Sequence, residues 1–319
     1  RPPPAPDQPS SGPRHAVLRV SARRAAELQQ ALARGEPVLV ADAMPHLSGR
    51  RVVEFMPKLI NAAGKEQISY EIQGPGGGVH LRQAPLALYV QGLQQSAPGR
   101  AHFMMSDQAL RHPELAEFLV PPSCFGPDRA AELPDELRPA GGRCLLVGGR
   151  GASGRLHRSS SATCTWTLLV LGRMRWHLLP PDAVLHSPDG TAYPADSSYE
   201  GAVQNEHGWP AAEMWEATQE IGEVLLLPPG WWSQARLEDR SLAVLGPQLP
   251  EGSLALAAGQ VARLLDLPPE PVQVAGGPWE VLKLAADEAK RRDARPEFLR
   301  LLGALHVSAQ PALQTPLQP

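Results

Sequence analysis

The sequence predicts an α+β, mainly β fold: a small barrel of short strands with flanking helices and a helical segment at its C-terminal end. Three observations predict it. Between Arg143 and Leu245 several short apolar runs follow one another, each bounded by Gly or Pro. The chain holds 35 prolines in 319 residues, which favours turns and irregular connections over long helices. After Pro250 the apolar spacing changes to helical periods. With 43% hydrophobic residues a sizeable core is available.

Taken in order, residues 1–15 form a proline- and serine-rich tail expected to be flexible. A strand-like AVLRV follows, and Ser21 is placed to cap a helix over Ala22–Arg34 that Gly35 ends. Pro37–Ala43 (PVLVADA) reads as a buried strand, and Val52–Ala63 as a helix broken or started by Pro57. Gln67–Gln73 alternates Ile68, Tyr70 and Ile72 as a half-buried strand does, and GPGGG after it is a turn or loop. Leu86–Gln95 reads as helix, His102–Ser106 as a short strand, Pro113–Leu119 as one or two helical turns, and Pro121–Ala140 as irregular. The barrel strands expected next are Arg143–Val147, Thr163–Leu171, Arg173–Leu179, Glu223–Leu227 and Ser241–Leu245. A polar insertion at 182–221, carrying Tyr193, Tyr199, Trp209 and Trp215, separates the third from the fourth. Helices are expected over Ser253–Leu265, Trp279–Arg292 and Pro296–Leu305, the last with proline at a favoured first position, and 307–319 is a second tail.

A net charge of −3 gives no whole-chain attraction to nucleic acid or anionic membrane, so neither partner is indicated. No apolar run approaches the roughly 18 residues of a spanning helix, so a soluble chain without membrane insertion is expected. Cys124, Cys144 and Cys164 are odd in number and lack C-x-x-C spacing, which argues against a disulfide framework and a zinc site. Ordinary thiols in a reducing compartment such as cytoplasm, nucleus or organelle are expected. Arg1 is compatible with a processed N-terminus.

Four constellations could carry chemistry. GGRGASG at Gly148–Gly154 has no G-K-[ST] and no helix pattern after it, so it reads as a strand connection, not a phosphate cradle. His157 and Ser159 lie two apart, so an extended backbone would aim both to one side. H-x-D there would give two legs of an iron(II) facial triad, whereas serine brings no charge and is a poor ligand. A lone histidine is ordinarily structural. In Gly172–Trp176 (GRMRW), Arg173 and Arg175 share one strand face, and an inward Met174 would make the pocket apolar there. Pro228–Gln234 (PPGWWSQ) follows a turn with adjacent tryptophans, expected to place one ring in the core and one at a rim.

Together these stretches resemble the Jumonji-C (JmjC) branch of the cupin-like 2-oxoglutarate oxygenases, in pattern the arginine-demethylase/lysyl-hydroxylase type. The matching residues are His157, Trp166, Gly172, Arg175, Trp176, Leu178 and Pro180, then Gly222, Glu223, Pro228, Gly230, Trp231 and Trp232. The resemblance covers roughly residues 35–250, with specific motifs in 142–246. It implies a double-stranded β-helix, a jelly-roll barrel, over 16–250, with the core barrel at 142–246 and C-terminal helices over 251–306 through which a homodimer is possible.

The departures from the family pattern fall on its chemical positions. The resemblance puts the first metal ligand on His157, the carboxylate on Ser159, the distal histidine on Ser233 and the lysine that grips 2-oxoglutarate on Met174. Trp166, Trp176, Trp231 and Trp232 would line the pocket or its rim. Losing two ligands should cost more than the roughly 10–100-fold that an outer partner costs in metal affinity. The missing lysine forfeits a charge-assisted bond of about 1.5–3 kcal/mol. The reading expects no metal and no cofactor. It describes a pseudoenzyme whose role is protein–protein interaction, as a binding or structural component of an assembly. The alternative is an iron(II)/2-oxoglutarate protein hydroxylase or demethylase whose site is rebuilt with His186, Glu206 or His207.

Overall fold

The computed structural model of the chain describes residues 13–43, 49–74, 79–93, 101–118, 120–139, 142–154, 156–183, 213–267 and 277–291. The architecture is mainly β, with two mixed sheets stacked face to face as a jelly-roll, cupin-like barrel. The five-stranded sheet has the order β1 (Arg14–Ala16), β11 (Met214–Gln219), β10 (Met174–Leu179), β13 (Trp232–Leu237), β8 (His157–Arg158). The nine-stranded sheet runs β2 (Leu18–Ser21), β3 (Val38–Ala41), β12 (Val224–Leu227), β9 (Cys164–Leu171), β14 (Ser241–Gln248), β7 (Cys144–Gly148), β6 (Ala101–Ser106), β4 (Gln67–Gln73), β5 (Val79–Pro85). Consecutive strands β9 and β10 lie in different sheets, as do β11 and β12, and β13 and β14. The chain therefore alternates between the two walls of the barrel.

Three helices cover the outer face of the large sheet: α1 (Ala25–Arg34), α2 (Gly49–Ala63) and α3 (Leu86–Gly92). Leu28 and Leu32 of α1, and Phe55 and Leu59 of α2, pack there against Trp166, Leu168 and Val170 of β9. Side chains of this size contribute about 1.5–3 kcal/mol each when fully buried, so this layer is a principal source of stability. At the C-terminal side α4 (Leu254–Leu264) packs on α5 (Pro278–Arg291) through Ala257, Val261, Leu282 and Ala286. Among the described residues no helix is long and apolar enough to cross a membrane.

Several local expectations are corrected. Ser21 does not cap α1, which starts at Ala25; its hydroxyl donates to Asp42 at 2.9 Å and stabilises the turn instead. Pro57 neither starts nor breaks α2, because it lies inside the helix on the exposed face. The insertion placed at 182–221 ends earlier, since Met214–Gln219 is a central strand paired with both β1 and β10. Strand β5 has no alternating pattern because it is exposed at the sheet edge, and β13 is hidden behind the turn-like PPG. The helix expected at Pro296–Leu305 lies outside the described residues.

Gly172, in the turn between β9 and β10, has φ +89°, and a Cβ there would sit 2.3 Å from the Arg240 carbonyl oxygen. Only glycine fits that approach, so this residue fixes how the chain crosses from one sheet to the other. The glycine-rich stretch after β7 acts similarly as a seam. Gly151 and Gly154 donate N–H bonds to Leu237 and Ala235, each at 2.8 Å, stitching the loop to β13. The Gln73 side chain holds the same loop by donating to the Ser153 carbonyl at 2.7 Å and accepting its N–H at 2.9 Å.

Candidate functional site

The space between the two sheets is the position a cupin pocket occupies. Its walls follow from strand alternation. From the small sheet Met174, Trp176, Leu178, Ala235 and Leu237 face inward; from the large sheet Leu146, Leu169, Leu225, Leu227 and Leu245 do. These belong to one contiguous cluster, and Met174, Leu178, Leu225 and Leu237 have no exposed surface.

Ser233 shares the inward face of β13 with Ala235 and Leu237. His157 is its direct partner across the β8–β13 ladder, so the two side chains project to the same side. Opposed residues of this kind have Cβ atoms about 4.5–5.5 Å apart. The resemblance gives both positions to metal ligands, and the register sets them opposite each other. Ser233 is buried, whereas His157 is partly exposed. Ser159 follows β8, where its backbone N–H and its hydroxyl both donate to the Trp231 carbonyl at 2.8 Å, with the Pro228 carbonyl 3.4 Å from the hydroxyl.

Met174 stands apart from this group. Ser233 is level with Leu178 of β10, and Met174 lies four residues back along that strand. Four residues at about 3.3 Å each put it roughly 13 Å down the barrel. There it is level with Gln219 of β11. Gln219 is fully buried and makes a tie that sequence reasoning missed. It accepts the Trp176 indole N–H at 2.8 Å and donates to the Thr167 and Glu223 carbonyls, also at 2.8 Å. The amide joins the two sheets across the interior, where sequence alone offers only a glutamine at the end of WEATQE. Glu223 in turn accepts the Glu220 N–H and pairs with Arg19 at 3.2 Å, a structural use of that carboxylate.

The four tryptophans are all buried, but they are not brought together. Trp176 and Trp231 belong to the inter-sheet cluster, Trp166 faces the helices on the far side of its sheet, and Trp232 packs with Leu156, Leu179 and Met214 on the outside of the small sheet. The expectation of one ring in the core and one at the rim at positions 231 and 232 is corrected, since both are almost fully covered. Trp231 donates its indole N–H to the Gly35 carbonyl at 2.9 Å and meets Trp215 edge-on at 5.0 Å. Outside the barrel, Arg173 and Arg175 pair with Glu220 and Glu216 at 2.9 and 3.2 Å.

Among the described residues no three His, Cys, Asp or Glu side chains gather in a metal-binding geometry. His186, Glu206 and His207 lie outside them. The thiols offer no nucleophile: burial pushes Cys144 and Cys164 up to about 12 and Cys124 up to about 11. An open cleft of about 700 Å³ lies at the far end of the barrel from His157, where the Gly172, Ile221 and Arg240 turns meet.

With this geometry in view, the comparison with characterised proteins gains a physical setting. An arginine-specific demethylase, JMJ22, of Arabidopsis thaliana is 27% identical over 110 residues, covering 32% of this chain and 22% of that protein. The likeness supports a JmjC/cupin relationship. It extends over about a fifth of the relative's length, and no family model matches the chain. The barrel topology agrees with that relationship.

Proposed function

We propose that this chain is a catalytically inactive JmjC-like protein that serves as a protein-binding or structural component of an assembly. The observation that carries the proposal is the filling of the space between the sheets. At the level of Met174, where a 2-oxoglutarate-binding lysine would stand, the interior is occupied by apolar side chains and the Trp176–Gln219 tie. At the level of His157 the donor set is one imidazole and two hydroxyls, of which Ser159 is committed to a backbone carbonyl.

These residues do not fit iron(II) and 2-oxoglutarate. Iron(II) stands low in the divalent affinity series and depends on a carboxylate and two imidazoles, and the cosubstrate needs a cation opposite its distal carboxylate. Neither requirement is met by serine, serine and methionine. The activity named for the Arabidopsis relative is accordingly not carried over. The partner half of the proposal draws on apolar side chains left at the surface, such as Leu81 on the edge strand β5 and Ile221, which are 47% and 51% exposed. A homodimer through α4 and α5 would use Leu284, which is also exposed.

Calorimetric titration with iron(II) under anaerobic conditions, with and without 2-oxoglutarate, tests the inactive reading. No saturable binding of either is expected. Micromolar binding of both, abolished by His157→Ala, would refute it and restore the hydroxylase alternative.

A further inference from the structure

The outward side of β8 carries a cation, Arg158, with which no carboxylate pairs among the described residues. His157 and Arg158 are adjacent on the strand and so face opposite ways, the first into the barrel and the second away from it. The Arg158 Nε–H donates to the Gly230 carbonyl at 3.0 Å, and one Nη donates to the Pro181 carbonyl at 3.2 Å. Two backbone acceptors thus fix the guanidinium while leaving its charge unneutralised. Burial lowers the pKa of this group, and the positive charge of Arg263 lowers it further.

Helix α4 completes the surroundings. A Cβ at Gly230 would lie 3.4 Å from the Gln260 Oε1 and 3.5 Å from an Arg158 Nη, so both side chains converge on one side of that glycine. Gln260 and Arg263 are three apart on α4 and share a face. The Gln260 Oε1 is buried with no donor to accept from. A half-turn of the amide exchanges it for the Nε2 donors at the same place. The last carbonyls of α4 favour a cation at Arg263. They do not account for Arg158, whose recorded partners are the Gly230 and Pro181 carbonyls.

We infer that Arg158, Gln260 and Arg263 form a site for a doubly charged oxyanion of the phosphate type, seated between the end of the barrel and α4. Two guanidinium groups match a charge of −2. The Arg158 fork, half-buried and oriented by its two backbone acceptors, makes its charge-assisted bonds with little further ordering, and Arg263 stands exposed on the same face of α4 as Gln260. The site is separate from the His157 side of the strand and does not depend on the proposed loss of catalysis.

The test is a calorimetric titration of the whole chain with inorganic phosphate and with phosphoserine, ionic strength being held constant with chloride. Saturable binding to the wild-type chain is expected, weakened about tenfold or more in Arg263→Gln, as the loss of a charge-assisted contact implies. Arg240→Gln removes the same charge from an exposed turn remote from α4 and should leave the affinity unchanged within about twofold. Tighter binding of phosphoserine would identify a phosphorylated side chain as the ligand, and equal or tighter binding of phosphate a free anion. Absence of saturation with both probes, or equal weakening in the two variants, would overturn the proposal.

Discussion

Met174→Lys places the family's lysine where the sequence has lost it, and its cost measures whether the barrel holds a pocket or a core. Met174 has no exposed surface, belongs to the inter-sheet apolar cluster and is level with Leu237 of β13. Its cross-strand neighbour Gln219 has its amide oxygen committed to the Trp176 indole, so no acceptor is free there for an ammonium group. A lysine in such a place sheds its proton, because a buried amine can have a pKa near 5–6 against about 10.4 in the unfolded chain. At pH 7 deprotonation alone costs about 3.4 units at 1.36 kcal/mol each, or roughly 4–5 kcal/mol. That is a large part of the roughly 5–15 kcal/mol that holds a domain together. Above about pH 10 both states hold a neutral amine and this penalty vanishes. As the pH falls, the unfolded chain takes up a proton that the folded chain refuses. The deficit should therefore grow by about 1.4 kcal/mol per unit down to the folded pKa. Urea unfolding of wild type, Met174→Lys and Met174→Leu at several pH values reads this directly, the leucine variant costing less than about 1.5 kcal/mol. A lysine deficit below about 1 kcal/mol that does not change with pH would mean that water or an acceptor reaches position 174. The filled-interior reasoning would then be wrong.

Two further outcomes follow from the same interior. Gln219→Leu should lower stability by about 2 kcal/mol or more in urea unfolding, since it strands the Trp176 N–H at about 1–3 kcal/mol and removes a bond to each of the Thr167 and Glu223 carbonyls, the latter keeping the Leu169 N–H at 3.1 Å. A loss below about 0.5 kcal/mol would show that the tie is incidental. The buried Cys144 and Cys164 should resist a thiol reagent in the folded chain at pH 8 and react only on unfolding, and the half-buried Cys124 should react slowly, because the thiolate is the reacting form and burial holds all three as thiols. Their raised folded values also mean that stability is full below the unfolded thiol range and declines as pH rises above about 9, where the unfolded thiols ionise first. Rapid labelling of native chain at pH 8 would contradict the burial.

The candidate site was legible in the sequence where chemistry and spacing coincide. The resemblance gave the family's chemical positions to His157, Ser233 and Met174 and left the facing of Met174 open; the ladders set His157 opposite Ser233 and place Met174 in the inter-sheet cluster. The pattern also located β7, β9, β10, β12 and β14, whose apolar runs are buried on both faces. Strand β11 was lost in a polar stretch because Glu216 and Thr218 alternate with Trp215 and Ala217 and its one buried polar residue, Gln219, is satisfied by partners remote in the sequence or beyond the strand. The four tryptophans were grouped at the pocket or its rim by the resemblance, although alternation sends Trp166 and Trp232 to faces that Trp176 never meets.

The sequence by itself determined the mainly β class, the turn-bounded strands and the residue types at the chemical positions, because these depend on local periodicity and on what each side chain can ligate. Only the tertiary structure decided that the space beside those positions is a packed interior, that Gln219 bridges it, and that Arg158 faces Gln260 of α4 with backbone carbonyls as its partners. Each of those facts joins residues remote in sequence, Trp176 with Gln219 and Arg158 with Gln260, and volume filled between two sheets has no signature along one strand.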